Sequence, residues 1–172
     1  MSKHPELTAD RLRQLLDYDP ESGLFIWKMS RRVKAGDVAG SLDTRGYVQI
    51  TVDGKIYRAH RLAFLWMEGT MPPDQVDHIN MTRTDNRWSN LRHAERWENL
   101  GNRPANSNSK SGIKGVHWDT RRGKWHAQIR SAGRKHHLGH FNTIEEAQAV
   151  YNFAAGLVFG TYAYHLSQGT PQ

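Results

Sequence analysis

The sequence predicts an α+β chain of two modules, and three observations carry that prediction. The charge is partitioned: residues 1–100 hold 15 Lys/Arg and 14 Asp/Glu, whereas 101–172 hold 9 and 3, with six of the ten His. Between them lies GNRPANSNSKSG (101–112), almost without apolar content. Such a stretch cannot bury enough surface to order itself and reads as a flexible linker. In both halves some segments carry apolar residues at helical spacing and others alternate as strands do. The expected modules are therefore 1–100, nearly neutral, and 113–172, basic: a three-stranded antiparallel sheet packed on one helix.

The elements follow in order. LTADRLRQLLDYD (7–19) places Leu7, Leu12, Leu15 and Leu16 at helical spacing behind Thr8, a candidate N-cap. PESG turns into a short strand, LFIWK (24–28). YVQITVDGKIYRAH (47–60) holds two alternating runs joined by Asp53-Gly54, a hairpin signal, because both turn positions of a tight hairpin need positive φ. RLAFLWMEG (61–69) reads as a buried helix stopping at Gly69, VDHIN (76–80) as a short strand, and 93–102 as helical again. In the second module, GIKGVHWD, GKWHAQIRSAG and RKHHLGHF read as three strands. The middle one sets Trp125, Ala127 and Ile129 against His126, Gln128 and Arg130, an apolar and a polar face. The helix 143–160 begins at Thr143 with Glu145 and Glu146 in its first turn, where the helix dipole favours them. Ala147, Val150, Tyr151, Ala154 and Leu157 form its apolar stripe, and Trp118 and Trp125 are expected to meet it.

Composition narrows the chemistry. The 172 residues carry a formal charge of +7 and a pI near 9.9, which points to a polyanionic partner, nucleic acid before a membrane surface. The absence of cysteine excludes disulfides, a thiol nucleophile and a thiolate zinc site. No apolar run has the length of a membrane span, and MSKHPELTAD has no signal-peptide core, so a soluble intracellular protein is expected.

The segment VDHINMTRTDNRWSNLRHAERWENLGN (76–102) concentrates groups suited to phosphodiester hydrolysis. That reaction needs a base for the attacking water and a cation for the charge that develops on phosphorus and the leaving oxygen. A histidine serves as base near neutral pH; a carboxylate with an amide oxygen suits a hard divalent ion. Adjacent strand residues face opposite ways, so Asp77 and His78 can share a site only where the strand ends or twists.

These residues, DHIN, DNRWSNLR and EN, resemble the HNH endonucleases of phages, in their His-Asn-Asn version found in homing nucleases, whose core is the ββα-metal fold. The likeness extends over most of 18–102, including YRAHRLA (57–63). The resemblance implies His78 as general base, Asn90 orienting its imidazole by a hydrogen bond, and Asp77 with Asn99 holding one divalent cation, Mg²⁺ or Mn²⁺. Arg87 and Arg92 are candidates to clamp phosphate, against the plainer reading of solvated charges. His60 and Arg61 stand near the motif; hydrogen bonding within a buried helix accounts for them equally well. Asp85 reads as a turn residue, with assistance to the site as the alternative.

The 113–166 segment resembles the ethylene-response-factor (APETALA-type) DNA-binding domain of plants, through IKGVHW, GKWHAQIR, HLGHFNTIEEA and the AxxYNxAA run. In that family the sheet enters the major groove, which admits a β-ribbon or sheet. By position, the implied contacts are Lys114, His117, Gln128, Arg130, Lys135 and His137, with Arg121 and Arg122 in the first turn. Several Arg and Trp positions of the plant pattern are Lys, His or Gln here, so its target sequence does not transfer. A metal cluster at HHLGH (136–140) is disfavoured, because His136 and His137 face opposite ways on a strand.

The sequence thus predicts a metal-dependent homing-type DNA endonuclease, monomeric and nicking unless dimerised. Its partner is double-stranded DNA, with no membrane and no structural zinc. The resemblance places it in the cytoplasm of a bacterial host. The rival reading is a non-catalytic DNA-binding regulator that keeps the nuclease scaffold, and metal-dependent cleavage lost in Asp77→Ala separates the two. An RNA-directed protein is a third, weaker reading, since A-form RNA hides its major groove.

Overall fold

The computed structural model describes residues 6–28 and 33–164; residues 1–5, 29–32 and 165–172 of the expected modules lie outside it. The chain divides into two compact units, Met1–His93 and Ala94–Gln172. Composition places the division at 101–112; the units part earlier because α3 (Arg96–Gly101) packs on the final helix. Among the described residues no helix is long and apolar enough to cross a membrane.

The first unit opens with α1 (Ala9–Leu15), whose N-cap Thr8 accepts through its side chain from Arg11 N. The helix is shorter than its apolar spacing predicts. Leu16–Asp19 form β1 instead, antiparallel to β2 (Leu24–Trp27), so the helical reading of 16–19 is corrected. Tertiary context overrides the local pattern here. Tyr18 stacks on Phe25 with ring centroids 4.7 Å apart, and Asp19 closes the turn by accepting from Ser22 Oγ at 2.6 Å.

Strands β3 (Ser41–Leu42), β4 (Val48–Val52) and β5 (Lys55–Arg58) make an antiparallel sheet. Asp53 and Gly54 join the last two with φ of 48° and 81°, both left-handed, as the dipeptide predicts. Helix α2 (Ala59–Glu68) ends on Gly69 at φ 79°, whose N–H returns to Leu65 O. It buries Leu62, Ala63, Phe64 and Leu65 against Leu12, Leu16, Phe25, Ile50 and Val52. A core phenylalanine such as Phe64 contributes about 3–5 kcal/mol relative to alanine. This core supports β6 (Gln75–His78), which pairs with β7 (Leu91–Ala94).

The second unit begins with α3, held by a capping box in which Glu98 reaches back to Glu95 N at 2.7 Å. Strands β8 (Val116–Asp119), β9 (Lys124–Ser131) and β10 (Arg134–Phe141) form the antiparallel sheet β10-β9-β8. Helix α4 (Ile144–Phe159) starts in a capping box between Thr143 and Glu146. It buries Ala147, Tyr151, Ala155 and Phe159 against Val116, Ala127 and Ile129. Two expectations are corrected here. Leu157 is 74% exposed, its place in the stripe taken by Ala155 and Phe159, and Trp118 is 46% exposed. The register pairs Trp118 with Trp125, and the two rings meet edge to face at 5.2 Å, at the end of the sheet. Gly115 fits Tyr151 closely: at φ +73°, a Cβ there would lie 2.3 Å from the Tyr151 ring and from Gln128 O.

Candidate active site

The last residue of β6 is His78, 5% exposed, and the strand stops there so that the following loop folds back over it. The loop is built from amides. Asn90 is its clamp: Ile79 N donates to Asn90 O at 2.9 Å, Asn80 N donates to Asn90 Oδ1 at 3.0 Å, and Asn90 Nδ2 donates to Asp85 O at 2.8 Å. Asp85 ties the other side, accepting from Asn80 Nδ2 at 2.7 Å and from Arg87 Nε and Nη2 at 2.8 and 2.6 Å. The Arg87 bonds, with that from Asn80, hold the Asp85 carboxyl down at about 2.

The orienting bond expected from Asn90 comes instead from Asn86, and this is a correction. His78 Nε2 lies 3.2 Å from Asn86 Oδ1. An amide oxygen only accepts, so Nε2 carries the hydrogen, and in the neutral ring the lone pair sits on Nδ1. Asn86 is itself fixed: it is 2% exposed, its Nδ2 donates to Thr84 O, and its carbonyl accepts from Tyr18 OH at 2.7 Å. Gly23 permits the approach, since a Cβ there would lie 2.4 Å from the Asn86–Arg87 peptide. Burial pushes the His78 imidazole below its ordinary value, opposed by the Asn86 bond and by the charges of Asp77 and Asp85. A neutral histidine at physiological pH is the form that takes up a proton.

Asp77, 8% exposed, is paired with Arg92 across the strands; Arg92 Nη2 and Nε both reach Asp77 Oδ2, at 2.7 and 2.9 Å. Arg87 and Arg92, expected to clamp phosphate, thus both sit in ion pairs with carboxylates of the site. Arg61 is structural, donating to the carbonyls of Asp74 and Pro72. Asn99 lies on α3, in the second unit.

Four side chains around His78 are not among the expected site residues: Asn86 and Arg58, although they lie within DNRWSNLR and YRAHRLA, and Tyr47 and Arg83. The Tyr47 ring lies 6.0 Å from His78 and 5.4 Å from His60, and the guanidiniums of Arg58 and Arg83 lie over it at 4.2 and 5.0 Å. These cations come from β5 and from the loop, separated by 25 positions, and no local spacing announces them. His60 stands edge to face with His78 at 5.0 Å, and among the described residues its Nδ1 has no hydrogen-bond partner. Burial, then the neighbouring His78, drives His60 down to about 3.

The donor chemistry bears on a metal ion. Among the described residues no group of three or more His, Cys, Asp or Glu could hold one. Asp77 offers a hard carboxylate oxygen, a donor type that suits Mg²⁺, which keeps several waters and takes phosphate oxygens, and not a closed N/S zinc site.

On the second unit, the register puts most of the expected nucleic-acid contacts on one face. Lys135 stands opposite Arg130, His137 opposite Gln128, and His117 opposite His126. Arg121 and Arg122 lie in the β8–β9 turn, Arg122 paired with Asp119 at 3.2 Å. Lys114 does not join them, which corrects its expected role. Its ammonium donates to Leu100 O and, at 2.9 Å, to Gly101 O, capping the C-terminus of α3, and burial lowers it to about 8.

With the site assembled, comparison with known proteins bears on its class: residues 57–101, which hold α2, β6, the amide loop, β7 and α3, match the HNH endonuclease family. Among individual proteins, the chain is 33% identical over 106 residues to an uncharacterized HNH endonuclease of Acanthamoeba polyphaga mimivirus, covering 60% of this chain and 54% of that one. The chain thus spans about half the length of that relative. Among solved structures, one described as DNA binding and cleavage by the HNH homing endonuclease I-HmuI aligns at 23% identity and a TM-score of 0.40. It covers 50% of this chain and 49% of that one.

Proposed function

We propose that the chain is an HNH-type DNA endonuclease that hydrolyses phosphodiester bonds with one divalent cation and binds duplex DNA through the β8–β10 face. The observation that carries this reading is the fixed, buried imidazole of His78 beside the Asp77 carboxylate, inside the segment matching the HNH family.

His78 acts as general base. Its Nε2–H stays on Asn86 while Nδ1 takes the proton of the attacking water. The water oxygen bonds to phosphorus and the P–O3′ bond breaks. The products are a 5′-phosphate and a 3′ oxygen that is protonated from solvent. Mg²⁺ or Mn²⁺, for which Asp77 and Asn99 are the expected oxygen donors, would supply positive charge for the phosphorane and the leaving oxygen. Arg92 donates twice to Asp77 Oδ2 and compensates the charge of that buried carboxylate. Arg58, also paired with Asp43 at 3.6 Å, and Arg83, whose Nη1 donates to Arg45 O, lie over the Tyr47 ring and would offer positive charge to phosphate oxygens. One such site per chain suits nicking by a monomer.

The test is cleavage of supercoiled plasmid with Mg²⁺ or Mn²⁺. Removing a general base lowers rates by about 10²–10⁴-fold. His78→Ala is expected to lose activity on that scale while duplex binding persists, and a variant cleaving at the parental rate overturns the assignment.

A further inference from the structure

The exposed face of the second unit carries a histidine cluster that the nuclease reading does not use. The register sets His117 opposite His126 and His126 opposite His140, a row of three imidazoles across three strands. A register shift between His137 and Gly139 brings His137 onto the same face, although it is only three residues from His140. His126 is the hub: its Nδ1 lies 3.0 Å from His117 Nε2 and its Nε2 lies 2.5 Å from His137 Nδ1. The rings of His137 and His140 lie 4.6 and 4.9 Å from that of His126.

In an N–H···N contact one nitrogen brings the hydrogen and the other the lone pair. A protonated His126 donates through both nitrogens, to His117 and to His137, and satisfies both contacts at once. A second added proton would set two cations against each other. A neutral trio satisfies the same contacts as a relay, His137 Nδ1–H to His126 Nε2 and His126 Nδ1–H to His117 Nε2, so the cluster takes up one proton without rearranging its rings and resists a second.

We propose that this cluster is a proton-linked phosphate site: a backbone phosphate of nucleic acid bound on the β8–β10 face draws one proton onto His117, His126 and His137. The inference rests on the reading of that face as the DNA-binding surface, and deepens it.

The surroundings favour an anion. On the same face lie Lys124 and Arg130 of β9 and Lys135 of β10, with Arg121 and Arg122 in the adjoining turn. The carboxylate there is Asp119 of β8, already engaged by Arg122 and by His140 Nε2 at 3.1 Å. Helix α4 covers the opposite face. In the free protein, burial and then the neighbouring imidazoles hold His126 below its ordinary value. An arriving phosphate raises it. The bound state then holds more protons than the free state, and linkage requires affinity to rise as pH falls.

The test uses the full chain, a short duplex and a chelator at fixed salt. Affinity is followed by anisotropy from pH 8 to 5.5, and proton uptake by calorimetry in two buffers of different ionisation enthalpy. The expected result is uptake approaching one proton in the acid part of the range, with a limiting slope of about tenfold in affinity per pH unit. His126→Gln and His137→Gln should each abolish most of that uptake. His136→Gln, opposite Ile129 on the helix side of the sheet, should retain it. Binding without proton uptake, or uptake unchanged in His126→Gln, overturns the proposal alone; no duplex binding at any pH overturns the DNA-face reading with it.

Discussion

His78 Nε2 meets Asn86 Oδ1 at 3.2 Å, and this bond decides which nitrogen of the neutral imidazole carries the hydrogen and which the lone pair. Asn86 lies eight residues along the chain, on a loop pinned by Asn90, Asp85 and Tyr18. Ring orientation and loop geometry are thereby divided between two asparagines.

That division is testable. Asn86→Ala should lower single-turnover cleavage by about 10–100-fold with the KM for DNA little changed, because the ring loses its orienting acceptor. Asn90→Ala should act first on stability, by about 1–3 kcal/mol, since it leaves buried loop amides without partners. Denaturant unfolding and quenched-flow cleavage separate the two effects. An Asn86→Ala enzyme with parental kcat contradicts this account of orientation.

The Arg92–Asp77 pair predicts a metal effect on stability. Breaking a buried ion pair by removing one partner costs about 3–5 kcal/mol, because the remaining charge is uncompensated. Arg92→Met should therefore melt well below the parent. Mg²⁺ should raise its Tm more than it raises the parent's, by supplying the missing charge at Asp77. Equal Mg²⁺ shifts in the two proteins would sever the link between that carboxylate and the ion.

His60 predicts an acid limb in stability. Its folded value of about 3 lies below the ordinary histidine value of about 6.5, so below that pH the unfolded chain binds the proton that the folded chain refuses. Stability contributed by neutral His60 is fully present above about 6.5 and is lost as pH falls toward 3. Urea unfolding at pH 7 and 4.5 should show this loss, reduced in His60→Phe, which fills the site without a titrating group.

On the second unit, Lys114 and its basic neighbours should separate. Lys114→Ala should lower stability by about 1 kcal/mol through removal of the cap on α3 while leaving the salt dependence of DNA binding unchanged. Arg130→Ala and Lys135→Ala should weaken binding and reduce the slope of log K against log salt by about 1 for each phosphate no longer neutralised. Salt titrations of the three variants check this. A reduced slope for Lys114→Ala would return it to the DNA face.

Much of the architecture was legible wherever the signal is local. Asp53-Gly54, Gly69 and the Thr143 capping box each act through backbone conformation or a bond three residues away, so their types announce them. What escaped depends on distant partners. Leu16–Asp19 leave the helix because a strand awaits them in the tertiary structure, and Leu157 leaves the apolar stripe because the sheet does not reach it. The Asp-His pair was readable as a candidate site. The choice of Asn86 over Asn90 was not, since both lie in one polar loop and only its folded path decides which meets the ring. The histidine row was hidden by the irregularity in β10: by strict alternation His137 and His140 face opposite ways.

The most direct measurement is plasmid nicking by the parent and His78→Ala in Mg²⁺, with duplex affinity measured on the same preparations. Metal-dependent nicking by the parent, its loss in the variant and equal DNA affinity in both are the expected results. Parental nicking by His78→Ala, or no cleavage by either protein in Mg²⁺ or Mn²⁺ while both bind DNA, would contradict the proposed function.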